Sequence, residues 1–242
     1  MNNINIIIPT YNEDKNILSL LKKIKFFLPN ALICIIDDSK NNNIEKILLK
    51  HNISKVLYFR RTNKKGRGSA IIFGFKKLFK KNKKQIFIEM DADFSHRPSE
   101  LKKNIKFFIK KKSDLLISSR YLKKSKIINW SFSRKILSKL SNILARKFLN
   151  INVSDYTNGF RIYSNNAIEL IIKKCGRIGD GFIVLSEILI VINVNKLKID
   201  ETHSIFVNRE RGESSVNLKL ILQSLFGLLK LYTIKKKYKS NK

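Results

Sequence analysis

Gln85-Ile86-Phe87-Ile88-Glu89-Met90-Asp91-Ala92-Asp93 is the stretch from which the fold can be read. A short, almost wholly apolar run bounded by turn signals reads as a strand buried on both faces, the kind found in a parallel sheet. It stops at two carboxylates separated by one residue. The same grammar repeats on either side. Upstream, residues 4–8 are apolar and end in Pro9-Thr10-Tyr11-Asn12-Glu13, residues 31–36 end in Asp37-Asp38, and residues 56–59 read as a third strand. Between these runs apolar residues recur at helical spacing, as Ile17, Leu20, Leu21, Ile24 and Phe27, and again as Ala70, Phe73, Leu78 and Phe79 after a Gly66-Arg67-Gly68 turn. Downstream, Pro98 opens a helix in its first turn, where its missing N–H is harmless, and residues 115–118 form a fifth strand. Strands alternating with helices of about 10–15 residues build βαβ units and a mostly parallel sheet, so the fold class is α/β. Ligands of such sheets bind beyond the carboxyl ends of the strands. Three polar motifs stand at those ends: residues 9–13, 37–38 and 91–95.

Past Tyr121 the pattern changes. Residues 136–148 read as a basic amphipathic helix, 155–163 as a polar and aromatic loop, 183–192 as a helix and 197–207 as a strand. A last helix over 216–235 precedes a lysine-rich tail. With neither an internal repeat nor a Pro/Gly/Ser linker, the chain divides into one domain, 1–216, and a short amphipathic, basic extension, 217–242. At about 100° per residue, Lys219, Gln223, Lys230 and Lys237 fall on one narrow stripe of that last helix, and the rest is mainly Leu, Ile, Phe and Tyr. Such a helix suits a membrane interface, with its lysines reaching anionic head groups, or the surface of its own domain.

The 242 residues carry 50 basic and 18 acidic side chains, a formal net charge of +32. That charge invites a polyanion, be it nucleic acid, anionic lipid or nucleotide phosphate. Lysine supplies most of it in a chain crowded with Lys, Asn and Ile, so compositional drift accounts for much of the excess. No nucleic-acid reading module or stacking platform is recognisable, and nucleic acid is not an expected partner. Cys34 and Cys175 match no metal or redox spacing, which fits a reduced, intracellular setting. The first residues lack the basic start of a secretory signal, and no apolar run of about 18 residues suggests a membrane span.

Asp91-Ala92-Asp93 is the sharpest chemical feature. Two carboxylates at a strand end converge on a cation if the chain turns there, and hard oxygen ligands suit Mg2+ or Mn2+ with water and substrate phosphate completing the shell. Ser95 and His96 lie near enough to contribute. An isolated D-x-D also fits a solvated turn with Asp93 capping a helix. One of Asp37 and Asp38 suits a ribose or base edge, and ordinary loop chemistry competes. Gly66-Arg67-Gly68 has neither dinucleotide nor Walker A spacing, because the next glycine is Gly74; a turn allowing close helix packing explains it. Arg120, Arg134, Arg161 and Arg209 stand out where lysine is the default base, since the guanidinium fork suits phosphate oxygens. Their value depends on convergence.

Taken together, these residues resemble the dolichol-phosphate (polyprenyl-phosphate) mannose synthases, family 2 glycosyltransferases of GT-A fold. The matching phrases run in order: residues 9–13, 37–39, 66–70, 90–96 and 119–121, then Trp130 and 134–138, 155–161, 181–187 and 209–214. The resemblance implies that Pro9, Tyr11, Glu13, Ile36 and Asp38 hold the nucleoside. It places Asp91, Ala92 and Asp93 at the metal and diphosphate, with Ser95 as a further metal ligand. Arg120, Arg134 and Arg209 match phosphate-binding residues, and Ser138 lies beside the acceptor phosphate. Two stretches depart from the family: residues 39–42 replace its usual Ser-Pro-Asp-Gly-Thr-like turn, and Ser215 stands where it has a lysine. The implied activity is metal-dependent, inverting transfer of mannose from GDP-mannose to dolichyl or polyprenyl phosphate. UDP-glucose or another sugar nucleotide with undecaprenyl phosphate is the alternative substrate pair. A non-catalytic membrane- or nucleic-acid-binding protein is a further reading. Expected partners are the donor, the lipid phosphate and the membrane surface, with a small membrane-anchoring subunit as an additional candidate. The expected location is peripheral, on the cytoplasmic face of a membrane.

Overall fold

The computed structural model describes residues 3–62 and 66–208, together with positions 227, 230–232 and 235 of the C-terminal stretch. In chain order the elements are β1 (Asn3–Thr10), α1 (Asp14–Phe27), β2 (Leu32–Asp37), α2 (Asn43–His51), β3 (Val56–Arg60), α3 (Arg67–Leu78) and β4 (Gln85–Glu89). A 3-10 turn, Pro98–Glu100, leads into α4 (Leu101–Lys111) and β5 (Leu115–Ser119). Then follow β6 (Lys126–Ile128), α5 (Phe132–Leu149), β7 (Arg161–Ser164), α6 (Asn165–Lys174), α7 (Ile183–Val194), β8 (Ile199–His203) and β9 (Ile205–Val207).

The main sheet has seven strands in the order β3-β2-β1-β4-β7-β5-β8. All its pairings are parallel except those of β7, which runs antiparallel to both β4 and β5. The α/β class and the mostly parallel sheet are as expected. Residues of one strand alternate between two cores: Ile6 and Ile8 face α1 and α4, while Ile7 faces α3, α6 and α7. These isoleucines are fully buried, each contributing about 1.5–3 kcal/mol by burial. Helices therefore cover both faces, which is why the strands read as continuous apolar runs rather than alternating ones.

Two local readings change. Residues 161–163, expected within a loop, belong to β7 in the interior of the sheet. The single strand expected over 197–207 is two, broken at Ser204: β8 extends the main sheet beside β5, and β9 pairs with β6 in a separate ribbon. The helix α6 starts where the Ser164 hydroxyl accepts the Ala167 N–H, a normal N-cap.

No helix among the described residues is long and apolar enough to cross a membrane. Most of residues 216–235, and with them the expected boundary at 216/217, lie outside the described residues. The described positions there are helical. Leu231 is fully buried in the core that holds α7, and Lys235 donates to the Leu149 carbonyl at the end of α5.

Candidate active site at the carboxyl ends of the strands

Parallel pairing brings the ends of β1, β2 and β4 side by side. Pro9 lies opposite Ile36 and Thr10 opposite Asp37. Asp37 is fully buried and ties the edge together: it accepts bonds from the Thr10 hydroxyl at 3.0 Å, the Ser39 hydroxyl at 2.6 Å and the Tyr58 phenol at 3.0 Å. Burial, with the Asp37 charge behind it, raises the Tyr58 pKa. Asp38 is gripped by the Arg61 fork, Nε to Oδ1 at 2.6 Å and Nη2 to Oδ2 at 2.5 Å. Arg61 continues to the Ser69 hydroxyl and the Gly66 carbonyl, so it fastens the end of β2 to the start of α3. Asp38, the carboxylate expected to meet a nucleoside, is thus engaged within the protein, as is its neighbour Asp37. Tyr11 is an exposed aromatic side chain of this edge, at 42%. Beside it Asn12, at φ 59°, donates its N–H to the Ser39 hydroxyl, and the Glu13 carboxylate accepts from Asn16.

At the end of β4 the chain turns sharply. Phe94 adopts φ 63°, and Asp93 Oδ1 accepts the Ser95 N–H at 3.0 Å. Asp93 therefore caps this turn rather than a helix. His96 holds the turn shut: its Nδ1 accepts the Asp91 N–H at 2.9 Å, and its Nε2 meets Asn158 Oδ1 at 2.9 Å. Its ring stacks on Phe160. With both nitrogens engaged, His96 is a brace and not a metal ligand, contrary to its place among the sequence candidates. The Asp91 side chain is 26% exposed, Asp93 is 8% exposed and Ala92 is buried between them. Ser95 is 2% exposed, and its Oγ has no hydrogen-bond partner. Among the described residues no group of three or more His, Cys, Asp or Glu gathers to cage an ion. Asp91, Asp93 and the unsatisfied Ser95 hydroxyl supply only oxygen donors along one turn. This fits Mg2+ or Mn2+ that completes its shell with water and diphosphate oxygens.

Beside this edge stands a cluster of arginine and aromatic side chains. Arg120, at the end of β5, is 8% exposed. Its backbone N–H, Nε and Nη2 all donate to Asp155, at 3.0, 2.8 and 2.7 Å, and Nη2 also reaches the Thr157 hydroxyl at 2.6 Å. Burial works against both charges, yet the pairing wins: Arg120 is raised and Asp155 is held below the usual carboxylate range. Asp91 also contributes to holding the Arg120 charge. The guanidinium carbon lies 5.4 Å from the Trp130 ring centre, and that of Arg134 lies 4.3 Å from the same ring. Trp130 is 9% exposed, and its Nε1–H has no hydrogen-bond partner. Ser138, one turn beyond Arg134 on α5, accepts a 2.6 Å bond from the Tyr121 phenol.

The convergence that sequence spacing leaves open is therefore realised for Arg120 and Arg134, which share Trp130. Arg161 is not part of it. It is fully buried and its guanidinium donates to the carbonyls of Asn158, Leu185 and Tyr156, so it is a structural pin at the start of β7. Arg209 lies outside the described residues. Sequence reasoning passes over Arg67, which donates from Nε to Asp91 Oδ1 at 2.8 Å and from Nη1 to the fully buried Glu89 at 2.5 Å. A signal was present in Glu89, a lone charge inside an apolar strand, because such a charge requires a partner. Gly68 behaves as expected of a packing glycine: a Cβ there would meet the Gly181 carbonyl at 2.4 Å.

A mostly parallel sheet with Asp91 and Asp93 just past one strand end, and with Arg120 and Arg134 around Trp130 beside it, is an α/β architecture whose ligand crevice lies beyond the strand ends. The chain belongs to glycosyl transferase family 2, whose model matches residues 5–171. It is 34% identical over 233 residues to a dolichol-phosphate mannosyltransferase of Pyrococcus furiosus, covering 94% of this chain and 63% of that protein, so it spans under two thirds of that relative's length. It is 29% identical to a polyprenol monophosphomannose synthase of Mycolicibacterium smegmatis, over 91% of this chain and 83% of that one. With an undecaprenyl-phosphate mannosyltransferase of Micrococcus luteus it shares 30% identity, over 87% and 86% of the two chains. Among solved structures it superposes on glucosyl-3-phosphoglycerate synthase of Mycobacterium tuberculosis, crystallised with Mn2+ and UDP-glucose, with a TM-score of 0.67 at 14% identity, over 96% of this chain and 79% of that one. Mannosyl-3-phosphoglycerate synthase of Rubrobacter xylanophilus gives 0.66 at 12% identity, covering all of this chain and 76% of that one. The fold is GT-A.

Proposed function

We propose that the protein transfers mannose from GDP-mannose to a dolichyl or polyprenyl phosphate, with inversion at the anomeric carbon. The observation that carries this reading is the placing of Arg120 and Arg134 around one tryptophan, close enough to the strand end of Asp91 for its charge to act on Arg120. Two phosphate-type cations beside a carboxylate pair suit a reaction with phosphate on both sides, a diphosphate leaving and a phosphate attacking. The named relatives act on lipid phosphates and mannose, which favours these substrates over UDP-glucose.

A lipid phosphate is already ionised at neutral pH, so its attack on the sugar needs no strong general base. The absence of an obvious nucleophile–base pair among the candidate residues accords with that. The protein must hold the two reactants in line and stabilise the charge that grows on the leaving diphosphate. Asp91 and Asp93, with Ser95, would hold Mg2+ or Mn2+, which supplies Lewis-acid neutralisation of that charge. Asp155 fixes the Nε and Nη2 edge of Arg120, and Nη1 makes no hydrogen bond with the described residues, leaving it to meet a phosphate oxygen. The unpartnered Trp130 Nε1–H is a further donor for the same anion. Pro9 and the exposed Tyr11 would form the edge against which the guanosine lies, whereas the Ile36 side chain is fully buried in the core against α3 and leaves only its backbone at that edge. Asp38 acts on it through Arg61. Ser138 would approach the acceptor phosphate from α5, and Arg209 remains assigned to phosphate by family resemblance alone.

Membrane contact is part of the same reading. On α5, Phe132, Ile136, Leu140 and Ile143 are exposed at 78%, 44%, 50% and 53%. They recur at helical spacing, with Lys135, Lys139 and Lys147 around them. A helix of this composition lies in the head-group region with its apolar face down, which brings Arg134 and Ser138 to the depth of a lipid phosphate. The C-terminal extension over 217–242 would add lysines to this attachment on the cytoplasmic face. Purified protein offered a panel of sugar nucleotides and lipid phosphates in vesicles tests the assignment. GDP-mannose with polyprenyl phosphate should give the fastest turnover, and faster turnover of UDP-glucose would replace the donor.

A further inference from the structure

Arg67, Glu89, Asp91, Gly159 and Tyr163 come from three separate stretches of the chain and meet at the end of β4. Glu89 is fully buried, and the Tyr163 phenol donates to its Oε2 at 2.7 Å while Arg67 takes Oε1. Arg67 then bridges forward to Asp91, with Nε 2.8 Å and Nη2 2.7 Å from the same oxygen, Oδ1. Its guanidinium faces the Phe182 ring at 5.4 Å and lies directly over Gly159, where a Cβ would come within 2.0 Å of Nη2 and 2.6 Å of Cζ. Burial opposes the Arg67 charge, but the two carboxylates outweigh it and raise its pKa. The arginine is thus a permanently charged, sterically confined prop.

We propose that Arg67, buttressed by Glu89, is a positioning residue that fixes the Asp91 carboxylate by Oδ1 and so sets its orientation toward a divalent cation. This rests on the reading of Asp91 as a metal ligand. Arg67 does not touch substrate; it acts through Asp91. Its charge is balanced locally by Glu89, so its main influence on an incoming cation is geometric rather than repulsive. Outer groups that orient metal ligands change metal affinity by about 10–100-fold when lost.

Two variants separate geometry from charge. R67L combined with E89Q removes the arginine without leaving a buried orphan carboxylate, keeps an acceptor for Tyr163 and preserves the net charge. G159A leaves every charge in place and displaces the guanidinium. Binding of Mn2+ in the presence of GDP is read directly by electron paramagnetic resonance of free Mn2+, on full-length protein whose folding is checked by circular dichroism. Each variant should weaken Mn2+ binding by about 10–100-fold. G159A should add nothing in the R67L/E89Q background, since both act through one side chain. Wild-type affinity in folded R67L/E89Q, with D91N deficient, would overturn the positioning role and leave the metal site standing. Wild-type affinity in D91N, or no Mn2+ binding by the unaltered protein, would overturn the metal-site reading and the proposal with it.

Discussion

Replacing Asp155 by alanine tests the geometry of the arginine cluster without touching the carboxylate pair. Asp155 is fully buried. It accepts three bonds from Arg120, at 3.0, 2.8 and 2.7 Å, and the N–H groups of Thr157 and Asn158 at 3.2 and 3.0 Å. Removing it leaves a buried guanidinium without its counter-ion, a loss of about 3–5 kcal/mol. At about 2–4 °C per kcal/mol for a chain of this size, Tm should fall by roughly 6–20 °C. Urea unfolding at pH 7 measures the same quantity through the midpoint at constant slope. The pH dependence adds a check. Because the native pKa of Asp155 is lowered, its contribution is complete above the ordinary aspartate range and is lost as pH falls through the native value. The gap between wild type and D155A should hold from pH 7 down to that range and shrink in stronger acid. Further replacing Arg120 with methionine should recover part of the loss, because no buried charge then remains. A D155A loss below about 1 kcal/mol, the value of an exposed pair, would refute the argument that Arg120 is held by this pair.

Three further outcomes follow from the same geometry. D93A should lose at least about 100-fold in kcat/KM at saturating Mn2+, the scale of removing one stabiliser of transition-state charge, as measured by sugar transfer. R134A should lose about 10–100-fold, the equivalent of one charge-assisted hydrogen bond to phosphate, with the loss reduced for a water-soluble donor-hydrolysis side reaction that uses no lipid. Serine at Phe132, Leu140 and Ile143 together should lower binding to anionic vesicles by at least about tenfold, since each apolar side chain contributes on the order of 1 kcal/mol or more when buried in lipid. Sedimentation with vesicles measures this, and unchanged binding would move the attachment to the C-terminal extension.

Much of the fold was legible because its strands are buried on both faces. The runs that became β1, β2 and β4 are apolar without alternation and end in polar motifs, so both their type and the edge they share could be read. The strand β7 could not. It has four residues, opens on an arginine and inserts antiparallel between β4 and β5, so neither length nor pattern marks it. The break at Ser204 was hidden for a related reason, since only pairing partners reveal that β8 and β9 belong to different sheets. At the site, Asp91 and Asp93 were visible from local spacing. The role of His96 was not, because its second partner, Asn158, is 62 positions away. Arg161 misled: an arginine in a polar loop suggested phosphate, whereas three backbone carbonyls in the interior had fixed it. Arg61 and Arg67 went unassigned because nothing local shows that a guanidinium turns inward to a carboxylate more than twenty residues away.

The central claim is that the strand-end carboxylates and the arginine cluster serve sugar transfer onto a lipid phosphate. It is tested most directly by supplying purified protein with GDP-mannose labelled in the sugar, Mn2+ and vesicles containing polyprenyl phosphate. The label should enter the lipid phase with one GDP released per mannose transferred, the product should be β-linked, and D93A should leave the label in the aqueous phase. Label that stays in water with the wild-type protein, or transfer that persists undiminished in D93A, would contradict it.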